Sequence, residues 1–372
     1  MALKVLIAPD KFKGTLTARA AAEAMAHGWH KARRRDKIEL LPMSDGGDGF
    51  GAVMGELLGA KIQTVRTLDA AHRPCRTRWW WEPKTKTAII ESAGVIGLAQ
   101  LPTKKFHPFD LDTVGLGAVI FAAAAKGAKR CLIGIGGSAT NDGGFGVGRA
   151  LGWKFMDSKG HNLASWTQLK ALAKTRPPPH IKWFDEMIVA VDVQNRLLGA
   201  RGCTRVYGPQ KGLTPKDFPT AERNLRRLAA VAAKQLYHDY AAEAGAGAAG
   251  GLGFGLRCFA GAKLRPGFEL FARHAKLEQQ IKSVDLVITG EGAIDESTLM
   301  GKGVGQIAAL CRKLKKPCIG LAGVVLAGKK GKGFFSEARG LTELTSVENA
   351  KKKAALWLER LAVQTAGEWF GE

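Results

Sequence analysis

A chain of 372 residues is too long for one ordinary core, and at roughly 150 residues per domain it predicts about two. With 46% hydrophobic and 24% charged residues, 47 glycines and 14 prolines, it is neither disordered nor collagen-like, and it fits a globular body with many tight turns. The 56 Lys and Arg against 33 Asp and Glu give a formal charge of +23, which favours anionic partners without specifying nucleic acid.

In chain order, short apolar runs predict strands at Val5–Ala8, Glu39–Pro42, Ala88–Glu91, Cys131–Ile135, Met187–Val191, Leu286–Thr289 and Cys318–Leu321. Longer amphipathic stretches separate them, as expected for strands that return through helices into a mostly parallel α/β sheet. Ala21, Ala24, Met25 and Gly28 recur at helical spacing behind a candidate cap, Thr17, so a helix over Ala18–Arg33 is expected; Ala221–Ala242 is a second candidate. Trp79-Trp80-Trp81 reads as a strand, either at a domain interface or on a partly covered surface. Thr175–His180 contains three consecutive prolines, which lack backbone donors and fix φ, so a loop or stiff connector is expected there. No repeat of fixed period is visible.

The six cysteines form no C-x-x-C pair and no zinc-ligand spacing, and read as reduced, packed thiols. Asp10 interrupts the first apolar stretch too early for a signal peptide, and the longest apolar run, Val114–Ala125, is short of the ~18 to 20 residues of a membrane span. A soluble, cytoplasmic protein without membrane or specific nucleic-acid partners is the expectation. The cation clusters Arg33-Arg34-Arg35, Lys329-Lys330 and Lys351-Lys352-Lys353 read mainly as solvated surface. No zinc-finger spacing or RNP-like aromatic motif accompanies them.

Several strands end in polar, glycine-rich corners: Ala8-Pro-Asp-Lys-Phe-Lys-Gly14, Ser44-Asp-Gly-Gly-Asp-Gly49, Gly136-Gly-Ser-Ala-Thr-Asn-Asp-Gly-Gly144 and Gly290-Glu-Gly-Ala-Ile-Asp295. Any one alone reads best as a tight turn. Four of them at strand ends read as a site, because ligands of open α/β sheets bind outside the carboxyl ends of the strands. Glycines let backbone N–H groups approach a polyphosphate, carboxylates hold Mg2+, and hydroxyls orient oxygens. The pattern G-x-x-x-x-G-K-[ST] does not occur, which argues against a P-loop. A G-x-G-x-x-G occurs at Gly245, Gly247 and Gly250, but a helical stretch precedes it where a dinucleotide fingerprint needs a strand, so it reads as close packing.

The Gly136–Gly144 segment, Asp192-Val193-x-Asn195 followed by Gly208-Pro-Gln-Lys-Gly212, Gly245–Gly253 and Val287-Ile-Thr-Gly-Glu-Gly292 come in the order of the signature blocks of the glycerate kinase family, and the chain resembles that family over roughly residues 4–325. The opening Val-Leu-Ile-Ala-Pro-Asp and Phe12-Lys13-Gly14 fit as well. The resemblance implies a Rossmann-like α/β domain from residues 1–70 and 284–372, an inserted α/β domain from 71–283, and an active site in the cleft. It implies transfer of the γ-phosphate of ATP to D-glycerate with Mg2+, giving 2-phosphoglycerate, with position 3 as the other hydroxyl. A homo-oligomer is left open.

On that resemblance, Asp192 and Asp295 are the candidates for base and metal ligand, in either order, with Glu291 a further metal candidate. Lys13 and Lys211 would neutralise phosphate or the glycerate carboxylate. Asp10, Asp45, Ser138, Thr140, Asn141, Asp142 and Asn195 would line the site, with backbone N–H groups of Gly136 and Gly137 turned to an anion. The chain departs from the family's usual residues at Lys11, Asp48, Phe50, Arg196 and Ala293. Those departures supply the alternative: a divergent kinase-like protein that acts on another hydroxy acid or binds nucleotide without turning glycerate over.

Overall fold

The computed structural model describes residues 2–103, 105–180, 182–299, 303–326 and 333–369, so the Lys329-Lys330 pair lies outside the described residues. The strands are β1 (Lys4–Ile7), β2 (Lys37–Leu40), β3 (Lys61–Leu68), β4 (Pro74–Glu82), β5 (Thr87–Glu91), β6 (Arg130–Gly134), β7 (Lys154–Met156), β8 (Lys174–Arg176), β9 (Glu186–Val191), β10 (Lys263–Pro266), β11 (Leu286–Ile294), β12 (Cys318–Val325) and β13 (Glu337–Gly340). All seven apolar runs picked out in the sequence are strands, with ends shifted by a residue or two, or by four or five at the carboxyl ends of β11 and β12. No helix among the described residues is long and apolar enough to cross a membrane.

The chain divides into two compact units, Met1–Asp45 with Phe268–Glu372, and Gly46–Gly267. These borders differ from 70/71 and 283/284 for local reasons. β3 pairs antiparallel with β4 from Lys61↔Trp81 to Leu68↔Pro74, which ties it to the second unit. Phe268 packs with Met43 over Gly303, which ties the segment after β10 to the first.

In the first unit every strand pair is parallel, in the order β13-β12-β11-β1-β2. Numbered within the unit this is 2-1-3-4-5, the doubly wound order whose direction reverses between its first and third strands, here β1 and β11. Right-handed crossovers running opposite ways from that reversal place helix Ala18–Ala32 and helix Gly303–Lys313 on opposite faces. Thr17 caps the first helix by accepting from Ala20 N at 3.1 Å, and Ala21, Ala22, Met25 and Trp29 form its buried stripe. That helix lies so close to helix Ala354–Glu368 that a Cβ on Gly28 would sit 2.2 Å from Glu359 O.

The second unit has the strand order β10-β9-β6-β5-β4-β3, parallel from β10 to β5 and antiparallel from β5 to β3, with β7 and β8 as a separate pair. The tryptophan run is the end of β4: Trp79 is buried, and Trp80 lies over helix Phe50–Leu57 where Gly51 and Gly55 make room for its ring. Phe145, Phe155 and Phe259 pack with centroids 4.8 and 5.2 Å apart, and each fully buried ring contributes about 1.5–3 kcal/mol.

Three sequence expectations change. The helix expected over Ala221–Ala242 runs from Phe218 to Leu236, because Tyr237 takes a left-handed φ of 53° that ends it. The proline connector begins only after β8, which already uses Thr175 and Arg176. Gly290-Glu291-Gly292 is no turn: β11 continues through it, paired Gly290↔Leu321 and Glu291↔Ala322 with β12.

Candidate active site

At the carboxyl edge of the first unit's sheet, the segment after β1 turns sharply because Phe12 is buried in the core and bridges Leu16, leaving Lys13 exposed and Lys11 half-buried. Asp10 N donates to Gly290 O at 2.8 Å, so this segment is fastened to β11 at the strand-order reversal. Two further carboxylates, Asp45 and Glu291, bear on Asp10 electrostatically. Burial pushes Asp10 up to about 7; the charges of Asp45 and, less strongly, Glu291 push the same way, against the Lys11 charge and a bond from Lys11 N. Asp45 arrives from the end of β2, where Met43 N donates to Pro9 O at 2.9 Å.

Asp295 follows β11 directly. Its Oδ1 accepts from Thr298 N at 3.3 Å, and its own N–H donates to Thr298 Oγ1 at 3.2 Å, a reciprocal cap on the short helix Glu296–Leu299. Thr298 Oγ1 also donates to Glu291 Oε1 at 2.7 Å. Thr298 is marked by neither charge nor glycine content; the D-x-x-T spacing from Asp295 is the signal that could have found it.

In the second unit two glycine corners meet. Gly136 N donates to Gly46 O at 3.1 Å, so this N–H already has a partner inside the protein. A Cβ on Gly136 would lie 2.6 Å from Gly47 Cα, and one on Gly137 would lie 1.8 Å from Asp48 Oδ1. Glu91, at the end of β5, accepts from Gly49 N and Gly51 N at 2.9 Å each and caps helix Phe50–Leu57. Sequence reasoning passed over it, although a carboxylate ending a parallel strand was the available clue.

Beyond that corner the polar groups turn inward. Ser138 and Thr140 hydroxyls share a 2.9 Å hydrogen bond, and Asn141 Nδ2 donates to Thr204 Oγ1 at 3.1 Å. Asp142 is fully buried and accepts four hydrogen bonds, from Thr113 N, Thr113 Oγ1, Gly144 N and Gly146 N, at 2.7–3.1 Å. Burial and the charge of Asp112 push it up to about 6, and those bonds hold it down. Lys211 is buried too; its Nζ donates to Thr140 O at 2.6 Å, and burial pulls it down to about 8. Gly250 completes the packing, since a Cβ there would lie 1.9 Å from Thr140 O, in line with the close-packing reading of the G-x-G-x-x-G.

Asp192 is exposed, immediately beyond β9. Tyr207 is pushed up to about 12 by burial first and then by the Asp192 charge, and its hydroxyl donates to Asn195 Oδ1 at 2.6 Å. Asn195 Nδ2 donates to Arg201 O at 2.7 Å, which fixes the loop after β9.

Among the described residues no group of three or more His, Cys, Asp or Glu is arranged so as to hold a metal ion. Magnesium does not need one, because it is held by one or two carboxylates together with waters and substrate phosphates. The Asp10 carboxyl, whose charge burial disfavours first and Asp45 and Glu291 disfavour further, is a group whose ionised form such an ion would stabilise.

Open parallel sheets with carboxylates, lysines and glycine corners at their carboxyl edges define a class of α/β proteins that take small ligands at strand ends. The chain belongs to the glycerate kinase family, whose family model matches residues 5–369. It is 34% identical over 370 residues to a glycerate kinase of Bacillus subtilis (strain 168), covering 97% of this chain and 96% of that one. It is 37% identical over 327 residues to the glycerate 2-kinase of Escherichia coli (strain K12), covering 86% and 85%. A crystal structure from Salmonella typhimurium LT2, described as a glycerate kinase 2, superposes with a TM-score of 0.82 at 33% identity and covers 98% of both chains.

Proposed function

We propose that the protein transfers the γ-phosphoryl group of ATP to the 2-hydroxyl of D-glycerate, giving 2-phosphoglycerate and ADP. The relatives' activities support the reaction class. The observation that carries the site is the strand-order reversal between β1 and β11, where Asp10 N donates to Gly290 O and the charges of Asp45 and Glu291 bear on the buried Asp10 carboxyl. Glu291 and Asp295, both hydrogen-bonded to Thr298, would hold Mg2+. The ion, when bound, supplies charge that offsets the phosphate oxygens.

Asp192, exposed immediately beyond β9 and next to a loop fixed by Asn195 and Tyr207, takes the base role. It accepts the hydroxyl proton as the new O–P bond forms and the bond to the β-phosphate oxygen breaks. Lys13, exposed on its turn, neutralises phosphate. Lys211 and Asn141, buried, act by holding the Ser138–Thr140 segment in place. The test is a coupled assay of the purified protein with ATP, MgCl2 and D-glycerate, followed by phosphorus NMR of the product. The resonance of 2-phosphoglycerate is expected; 3-phosphoglycerate would move the reaction to the other hydroxyl, and nucleotide binding without turnover would overturn the reading.

A further inference from the structure

Thr298 is fully buried, and its hydroxyl has one proton to give. Glu291 Oε1 lies 2.7 Å from it and Ala293 O 3.4 Å, while Asp295 N–H approaches at 3.2 Å as a donor. A carboxylate at the shorter distance is the stronger acceptor, so the proton points at Glu291 and a lone pair receives Asp295 N–H. Capping the helix Glu296–Leu299 needs only the bonds with Asp295. The bond to Glu291, seven residues back in β11, is no part of a cap.

A glutamate has three side-chain torsions, and fixing them costs entropy that a cation would otherwise have to offset on binding. The Thr298 hydroxyl fixes them beforehand. One buried side chain thus sets the carboxylate of Glu291 and the backbone of Asp295, the two residues read above as metal-facing. We propose that Thr298 is a positioning residue that holds Glu291 in the orientation that receives the divalent cation. This rests on the proposed metal role of Glu291.

The experiment titrates the full-length protein with MnCl2 alone, read by water-proton relaxation, with thermal melting of each variant in the same buffer. Thr298→Val keeps the volume and loses the hydroxyl, and is expected to weaken Mn2+ binding about tenfold, the lower end for groups that orient metal ligands. Thr298→Ser keeps the hydroxyl and is expected to bind within about twofold of the parent. In turnover, Thr298→Val should raise the MgCl2 needed for half-maximal rate and leave the KM for glycerate unchanged. Parent-like Mn2+ binding by Thr298→Val sinks the proposal, as does a Thr298→Ser variant weakened tenfold; the serine arm decides if the valine variant does not fold. Glu291→Gln separates the two readings: if it binds Mn2+ as the parent does, or if the parent binds none, the metal role of Glu291 fails and the positioning role fails with it.

Discussion

Asp10 and Asp142 both follow a strand in a glycine-containing segment, and both are pushed upward, to about 7 and about 6, yet they sit in opposite circumstances. Asp142 is enclosed by four donors from its own unit, which stabilise its charge and use it to start helix Phe145–Ala150. The ionised form of Asp10 is disfavoured first by burial and then by the charges of Asp45 and Glu291, with the Lys11 charge and one Lys11 N–H bond opposing them. A strand-end aspartate satisfied from within belongs to the architecture. One whose charge is disfavoured first by burial and then by neighbouring carboxylates, at a strand-order reversal, is where the proposed cation would relieve the cost.

The largest expected effect lies on the two aspartates proposed to act in turnover. Asp192→Asn and Asp295→Asn should each lower kcat by about 10²- to 10⁴-fold, the usual contribution of a positioned acid–base or charge-bearing group. Melting should stay close to the parent, because Asn replaces Asp at a helix cap at little cost. Near-normal turnover in both would remove them from the mechanism.

On the enclosed side the effect should fall on folding. Asp142→Asn puts an NH2 group among four donors, and should cost about 2–4 kcal/mol by urea denaturation. If stability is unchanged while activity disappears, Asp142 belongs with the ligand-facing residues and not with the architecture.

The smallest effect depends on pH. A carboxyl whose folded value lies above its ordinary 3.8 costs stability progressively as pH rises from about that value through 7, and the full cost is present above 7. Asp10→Asn should therefore raise the melting temperature by a few degrees at pH 8 and hardly at all at pH 4. MgCl2 should stabilise the parent more at pH 8 than at pH 5; equal shifts at both values would break the link between Asp10 and the cation.

Much of the frame was legible in the sequence because parallel strands buried on both faces are nearly continuous apolar runs, as in Val5-Leu6-Ile7 and Cys131-Leu132-Ile133. β3 was not, because it is an edge strand whose residues alternate between exposed and half-covered and include Lys61, Gln63 and Arg66. The glycine corners were found, but glycine content does not say whether a backbone is approached by a ligand or by its own protein. Gly250 against Thr140 O and Gly136 against Gly47 are the second kind. Likewise Gly290 is a glycine in the middle of a strand, because a Cβ would lie 1.9 Å from Leu321 O of the neighbouring strand. Glu91 and Thr298 were missed because their partners, backbone N–H groups and one carboxylate, are set by the fold.

β1 sits inside its sheet, bonded to β2 on one side and to β11 on the other, with Val5 opposite both Ile38 and Leu286. During translation, β11 leaves the ribosome only after the whole Gly46–Gly267 unit has been made. The amino-terminal segment therefore waits with an open strand edge and an uncovered apolar surface through most of synthesis, the kind of surface that chaperones cover.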